Sequence, residues 1–486
     1  MNKDILNLEP RELWKYFHEV TQVPRPSKKE EKIRQYLIDF GHKHQLETIE
    51  DKVGNVLIRK PGTIGMENHK TVVLQSHMDM VCEKNSDVDF DFNTDSIQTH
   101  IEGDWVKASG TTLGADDGIG VAAALAILAS DNIVHPPIEA LFTMDEETGL
   151  TGAFGLSNEL LKGKILLNLD SEDEGEIFIG CAGGRDTTAE LAISYQNTSG
   201  EKAYRIDVKG LNGGHSGDDI HKGYANANKL LNRILWDAMA NLAVDINYFD
   251  GGNLRNAIAR EAYAVVLLDE SKEEQLNNLV ANYETIFKNE YHKTEPNLKV
   301  EINPTESKDK TIAKEDAKKM IEAIYACPHG VLAWSQDIPN FVETSTNLAS
   351  VKTKTGRIIF TTSQRSSVAS ALDDACNMVA ANFRMINASV KHSDGYPGWA
   401  PNPESEILEI SKKSYEELFH KEPKVLAIHA GLECGLIGEK YPGMDMISFG
   451  PTIKGAHSPD ERLEIKTAQM FWDYLLDILK RIPKES

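Results

Sequence analysis

The sequence predicts an α/β fold interrupted by an inserted domain, and three observations carry the prediction. Short apolar runs rich in Val, Ile and Leu alternate with stretches of helical period over the first 186 residues. Acidic and His-bearing segments sit at or just past the ends of those runs, where α/β sheets collect functional groups. Near Thr187 the texture changes, and it changes back around the Pro-containing segment 393–403, which reads as a linker. The predicted arrangement is a first domain made of residues 1–186 and 398–486, with residues 187–397 inserted in it. A length of 486 residues and 41% hydrophobic content support two or more domains with real cores.

Each element has its own signal. Leu13, Phe17 and Val20 recur at helical spacing, and Ser27 with Glu30 three residues on reads as a capping box before a second helix through Ile33, Leu37 and Phe40. Strands are predicted over 55–58, 71–74, 138–142 and 165–168, with an Ala-rich helix from Gly118 to Ser130 between the second and the third. In the inserted part, strands over 204–208, 263–268, 299–302 and 357–360 alternate with helices over 225–242, 272–288 and 367–385. A helix over 404–419 and the apolar run 444–449 then lead to His457.

A net charge of −23 excludes nucleic acid and anionic membrane as main partners, because both would be repelled over most of the surface, and favours a small substrate or a cation. Cys82, Cys181, Cys327, Cys376 and Cys434 are odd in number and widely spaced, so neither a disulfide framework nor a thiolate zinc site is expected. The amino-terminal residues lack a secretory pattern, and no run reaches the roughly 18 apolar residues of a membrane span. The expected home is a reducing cytoplasm.

The chemistry concentrates in five short segments. His77 and Asp79, two apart after the run 71–74, would share one face of a strand, so that a carboxylate orients an imidazole ligand. Gly114-Ala-Asp-Asp-Gly118, Met144-Asp-Glu-Glu-Thr148, Leu167-Asn-Leu-Asp170 and Gly455-Ala-His457 supply further acids and a second His. Asp-Asp and Glu-Glu pairs are most often solvated surface, and a lone His is most often structural. The Leu, Ala, Gly and Phe that flank these pairs argue instead for partly buried positions. A mixed nitrogen and oxygen donor set suits Zn²⁺, Co²⁺ or Mn²⁺ better than Ca²⁺. Five candidate ligands exceed one tetrahedral site, and a bridging carboxylate would let two ions share a hydroxide nucleophile. The adjacent acids Glu146 and Glu147 then divide into a metal ligand and a proton carrier.

His77-Met-Asp79, Gly114-Ala-Asp-Asp117, Asp145-Glu-Glu-Thr-Gly149, Leu169-Asp170 and Gly455-Ala-His457 together resemble the co-catalytic metallopeptidase superfamily, in the same order and at the same separations. That superfamily includes glutamate carboxypeptidase, aminoacylase and several di- and tripeptidases. Within it, segments 111–120, 167–175 and Ile428-His-Ala-Gly-Leu-Glu433 are similar to those of the aminoacyl-histidine (Xaa-His) dipeptidases, and the likeness runs over essentially the whole chain.

The resemblance implies an α/β catalytic domain with a mixed central sheet and an inserted α+β lid that carries dimer contacts in many relatives. It implies two divalent ions, Zn²⁺ first with Co²⁺ or Mn²⁺ as alternatives, bridged by Asp116, with His77 and Asp170 on one and Glu147 and His457 on the other. Glu146 would be the general base and Asp79 the orienting partner of His77, with a cis bond between Asp116 and Asp117. Many relatives carry Asp-x-Lys-Gly where this chain has Asp116-Asp-Gly-Ile119, which leaves the ligand intact and alters a neighbour contact. In the lid, His215 of Gly214-His-Ser-Gly217 would meet the scissile carbonyl, with Asn256 and Arg365 as further substrate contacts. The implied activity is hydrolysis of Xaa-His dipeptides, β-alanyl-histidine included, and of other unblocked dipeptides, by a cytoplasmic homodimer. A tripeptide aminopeptidase or N-acyl amino acid deacylase is the alternative within the same chemistry, and a non-catalytic metal-binding protein is the alternative outside it.

Overall fold

Helix formation at the start of the chain follows from one apolar face. In the helix Arg11–Thr21, residues Leu13, Trp14, Phe17 and Val20 are all fully buried, and Ile33, Leu37 and Phe40 do the same for the helix Glu31–Lys43. Each such side chain contributes about 1.5–3 kcal/mol when buried. The computed structural model describes residues 4–198, 202–306 and 310–485. The expected capping box is not made. Glu30 accepts the N–H of Lys28 and that of Asp145, while the Ser27 hydroxyl donates to Asp79, so both residues serve tertiary contacts in place of the helix end.

By internal packing the chain divides into two units, one of residues 1–180, 399–427 and 432–486, the other of residues 181–398 and 428–431. The first is built on a mixed eight-stranded sheet in the order Glu47–Glu50, Val56–Lys60, Ile138–Thr143, Val72–His77, Ile165–Asn168, Asp445–Ser448, Glu176–Cys181, Lys424–Ile428. Val72–His77 runs parallel to both its neighbours, and Asp445–Ser448 runs parallel to Ile165–Asn168. The Val72–His77 and Ile138–Thr143 strands are buried along their whole length, which is why their apolar residues are not confined to alternate positions. The helix Ala115–Ala129 is buried almost all round, and its alanines allow that close packing. A four-stranded sheet, Ile453–Lys454, Arg462–Glu464, Trp105–Ala108, Thr99–Glu102, completes the first unit's strands and was not foreseen, nor was the closing helix Ile465–Arg481.

The second unit is an antiparallel nine-stranded sheet whose core is shared with the helices Ala227–Leu242, Glu273–Glu290, Lys314–Ala326 and Ala369–Met385. Its long strand Val342–Lys354 carries Thr344, Ser345, Thr346 and Asn347, all buried. The expected linker is packed: Tyr396 bridges Gly184, and Trp399 is buried. Among the described residues no helix is long and apolar enough to cross a membrane, and no disulfide joins the five cysteines.

Candidate metal centre and active site

Three parallel strands end side by side at His77, Thr143 and Asn168, and the chain beyond each end carries acids. The Val72–His77 strand stops at its histidine, so Asp79 does not lie on the same strand face as predicted. The turn after the strand, tied by Met80 N–H to the Arg25 carbonyl, brings Asp79 Oδ1 to 3.3 Å from His77 Nδ1. Past Ile138–Thr143 the backbone bends through Asp145 at φ 47° into the short helix Glu146–Gly149. Asp79 holds the start of that helix as well: its Oδ1 accepts the N–H of Glu146 at 3.1 Å and its Oδ2 that of Glu147 at 3.3 Å. One buried carboxylate therefore holds the backbone of two acids and stands beside an imidazole.

Asp116 lies at the kinked start of Ala115–Ala129, where the Asp116–Asp117 peptide is cis. Its Oδ1 is 2.9 Å from His77 Nε2, and its Oδ2 is 3.1 Å from His457 Nε2. Asp170 Oδ1 stands 3.4 Å from His77 Nε2, and Glu147 Oε2 stands 2.9 Å from His457 Nε2. Two donor groups result, His77–Asp116–Asp170 and Asp116–Glu147–His457, joined at one carboxylate. Glu146 forms a third group with His77 and Glu147. Asp117 turns away from them and accepts the N–H of His77 and of Gly120, each at 3.2 Å.

The electrostatics of the cluster call for cations. Burial pushes the Asp170 carboxyl up to about 7, with Asp116 and Glu147 adding to it against His77. Burial likewise raises Glu146, helped by Asp170, Glu433 and Glu147. Hydrogen bonds to Asp116 and Glu147 raise His457 to about 11. Burial alone would lower His77, but Asp170, Asp116 and Asp79 raise it well above its usual range. Burial opposes ionisation of Asp116, yet the two imidazoles hold it well below the usual carboxylate range. Glu147 Oε1 is buried without a hydrogen-bond partner among the described residues. Carboxylates crowded together, two convergent imidazole nitrogens and an orphaned oxygen fit a pair of divalent ions.

In the second unit, His215 lies on a two-residue strand paired with Ala257, and the Ser216 N–H donates to the Asn256 carbonyl. Arg365 Nη2 is 3.4 Å from His215 Nε2, Arg365 Nη1 donates to Tyr396 Oη at 2.9 Å, and Arg365 Nε is buried without a partner among the described residues. Asp218 sits 3.3 Å from His215 Nδ1, and His429 Nε2 is 2.7 Å from Ser345 Oγ. Asn256 itself is exposed.

Sequence reasoning missed Arg25, Glu433, Glu461, Asp218 and Tyr396. Arg25 is fully buried and donates to the carbonyls of Met78, Asp79 and Gly114. Glu433 is buried, accepts from Gln75 and Thr143 at 2.6 Å each, and is pushed by burial up to about 7. Glu433 lies within the segment 428–433 and Tyr396 within the segment 393–403 that reads as a linker; Arg25, Asp218 and Glu461 lie outside every segment singled out in the sequence.

Three comparisons with known proteins bear on this site. Residues 73–481 match the family described as Peptidase family M20/M25/M40. The chain is 43% identical over 481 residues to the cytosol non-specific dipeptidase of Escherichia coli (strain K12), with 99% of each chain covered. Its structure is similar to that of an aminoacylhistidine dipeptidase from Vibrio alginolyticus, at a TM-score of 0.93, 44% identity and 99% coverage of both chains. An aminopeptidase from Bacillus cereus shares the fold at a TM-score of 0.57 and 16% identity, with 98% of this chain and 99% of that one covered.

Proposed function

This chain belongs to peptidase family M20/M25/M40 and is a peptide hydrolase, and from that premise we propose that it is a two-metal dipeptidase acting on unblocked dipeptides, aminoacyl-histidines included. The observation that carries the reading is Asp116, whose two oxygens face two imidazoles while Glu146 stands beside them unpaired to either. The names of the two full-length relatives support a broad dipeptide range within which Xaa-His peptides fall.

We assign His77, Asp116 and Asp170 to one ion and Asp116, Glu147 and His457 to the other, with Zn²⁺ as the native metal. Bound there, divalent cations supply a Lewis acid for the scissile carbonyl and acidify a water at neutral pH. Glu146 takes the proton from the attacking water as the carbon–oxygen bond forms, then delivers it to the leaving amine nitrogen as the carbon–nitrogen bond breaks. Its raised proton affinity suits both halves of that transfer. Asp79 keeps the His77 ring in register and holds the backbone of Glu146 and Glu147. We give the reading of the substrate to His215 for the carbonyl oxygen, Arg365 for the terminal carboxylate and Asn256 for a further polar contact. The unsatisfied Nε of Arg365 and the adjoining imidazole support this, because a guanidinium fork matches a carboxylate. A cytosolic location, as in the name of the Escherichia coli relative, and a homodimer complete the proposal; light scattering tests the second.

Chelation should abolish hydrolysis of a panel of Xaa-His and other dipeptides, and Zn²⁺, Co²⁺ or Mn²⁺ should restore it. Full activity in the metal-free protein would overturn the reading. Preference for tripeptides or acetyl amino acids would move it to an aminopeptidase or a deacylase.

A further inference from the structure

Glu461 is buried in a setting made of backbone amides. Its Oε2 accepts the N–H groups of Leu113 at 2.7 Å and Gly114 at 2.9 Å, and its Oε1 those of Ala115 at 2.7 Å and Asp116 at 3.3 Å. A carboxylate offers about four acceptor positions. Four consecutive amides take them, so Glu461 has no oxygen left for an ion or for a proton in transit. Burial, with Asp116 adding to it, raises the proton affinity of Glu461, while the amides of Gly114, Ala115 and Asp116 oppose that rise and the buried Arg25 lies nearby.

The segment it grips is held from the other side too, since the Arg25 guanidinium donates to the Gly114 carbonyl. Gly114 sits at φ 68°, and a Cβ there would come within 2.6 Å of Arg25 Nη2, so no larger residue fits between the two clamps. Glu461 itself closes the turn that presents His457, between the paired strands Ile453–Lys454 and Arg462–Glu464. That turn is tied by Ser458 Oγ to the Gly455 carbonyl at 2.7 Å and by the Glu461 N–H to the Ser458 carbonyl at 3.0 Å. One side chain thus locks the loop of Asp116 to the loop of His457. The His77 side of Asp116 is fixed differently, by strand ends and by the Asp117 carboxylate on the His77 N–H.

We propose, on the two-ion reading above, that Glu461 is a positioning residue that sets the separation of Asp116 and His457 and thereby governs one ion position, Asp116–Glu147–His457, and not the other. In Glu461→Gln the amide nitrogen replaces an acceptor with a donor, so two of the four N–H groups lose their partner. The Asp116 segment then loses part of its tie to the turn of His457, while the strand ends and Asp117 still hold it towards His77.

The test is titration of the metal-free full-length protein with Co²⁺ followed by its absorption spectrum and by calorimetry, alongside kinetics at rising metal concentration. The unsubstituted protein should bind two ions. Glu461→Gln should keep one at unchanged affinity and bind the other about 10- to 100-fold more weakly, the usual cost of removing a partner that orients ligands. His457→Ala should lose that same ion. Added metal should restore kcat of Glu461→Gln with KM unchanged. Equal weakening of both ions, or two tight ions with kcat still lost, would overturn the proposal; fewer than two ions on the unsubstituted protein would overturn the metal reading itself. Hydrogen exchange on the unsubstituted protein decides the matter independently of whether the variant folds. The amides of residues 113–116 should be protected with and without metal, and rapid exchange in the metal-free protein would refute a pre-formed clamp.

Discussion

Replacing Glu146 by Gln removes a proton acceptor and little else. The two side chains are isosteric, and the backbone N–H of residue 146 keeps its 3.1 Å bond to Asp79 Oδ1, so the helix Glu146–Gly149 should start where it does now. A positioned general base contributes about 10²- to 10⁴-fold, so kcat should fall by that factor, about 2.7 to 5.4 kcal/mol of barrier, with KM little changed. Metal content, measured by mass spectrometry on dialysed protein, should stay at two ions per chain. Glu147→Gln should behave in the opposite way, because Glu147 Oε2 stands 2.9 Å from His457 Nε2 and its other oxygen is buried without a protein partner. That variant should lose an ion first and turnover as a consequence, with partial recovery in excess metal. His77, Glu146 and Glu147 also form a donor group of their own, which makes the comparison decisive. If Glu146→Gln falls short by one ion while Glu147→Gln keeps two, the roles are reversed and the proposed proton path is wrong.

Asp79→Asn should weaken metal binding or turnover by about 10- to 100-fold, because it disturbs the partner of His77 and the acceptor of two amides together; unaltered metal affinity and kcat would refute that dual role. Free dipeptides should be cleaved far better than their carboxamides or than tripeptides, and Arg365→Lys should lose most of that preference while keeping both ions; equal rates on all three substrates with the unsubstituted protein would show that Arg365 does not read a carboxylate. Burial, with the Arg365 charge behind it, lowers His429 to about 3, so folding keeps this ring neutral. The stability this provides is complete above the unfolded value near 6.5 and is lost as pH falls towards 3; between pH 6.5 and 5 the loss should be about 2 kcal/mol from this group. In urea unfolding, His429→Gln should flatten that part of the pH profile, and an unchanged slope would refute the assignment.

What the sequence disclosed and what it hid have separate physical causes. The buried strands Val72–His77, Ile138–Thr143 and Ile165–Asn168 announce themselves as apolar runs, and acids just past their ends are the signal of a crevice at the carboxyl edge. His77, Glu147 and Asp170 lie at or just past those ends, whereas Asp116 at a helix start and His457 in a turn stand out only through the resemblance of their segments. The clamps that hold them were not readable from local patterns. Glu461 meets Leu113 across 348 positions and Arg25 meets Gly114 across 89, and neither carries a periodic signature. The strand Val342–Lys354 escaped for another reason, since its buried Thr, Ser and Asn residues bond to polar groups of other segments, as Thr344 does with Ser366 and Asn347 with the Ala257 carbonyl, and leave no apolar run to see. Ser27 and Glu30 had the spacing of a capping box but were drawn into the site by Asp79 and Asp145, a tertiary demand that outweighs a local one.

The strand Asp445–Ser448 lies between Ile165–Asn168 and Glu176–Cys181, so the central sheet has a gap until some 270 intervening residues have been made. A growing chain emerging from the ribosome carries Asp116, Glu146, Glu147 and Asp170 early, but not the imidazole at 457 nor the carboxylate at 461. Sequence-distant pairing of this kind slows folding and delays cooperative closure of the domain. A half-made polypeptide thus holds the acids of the centre without His457 and Glu461, and both follow the strand Asp445–Ser448 that fills the sheet.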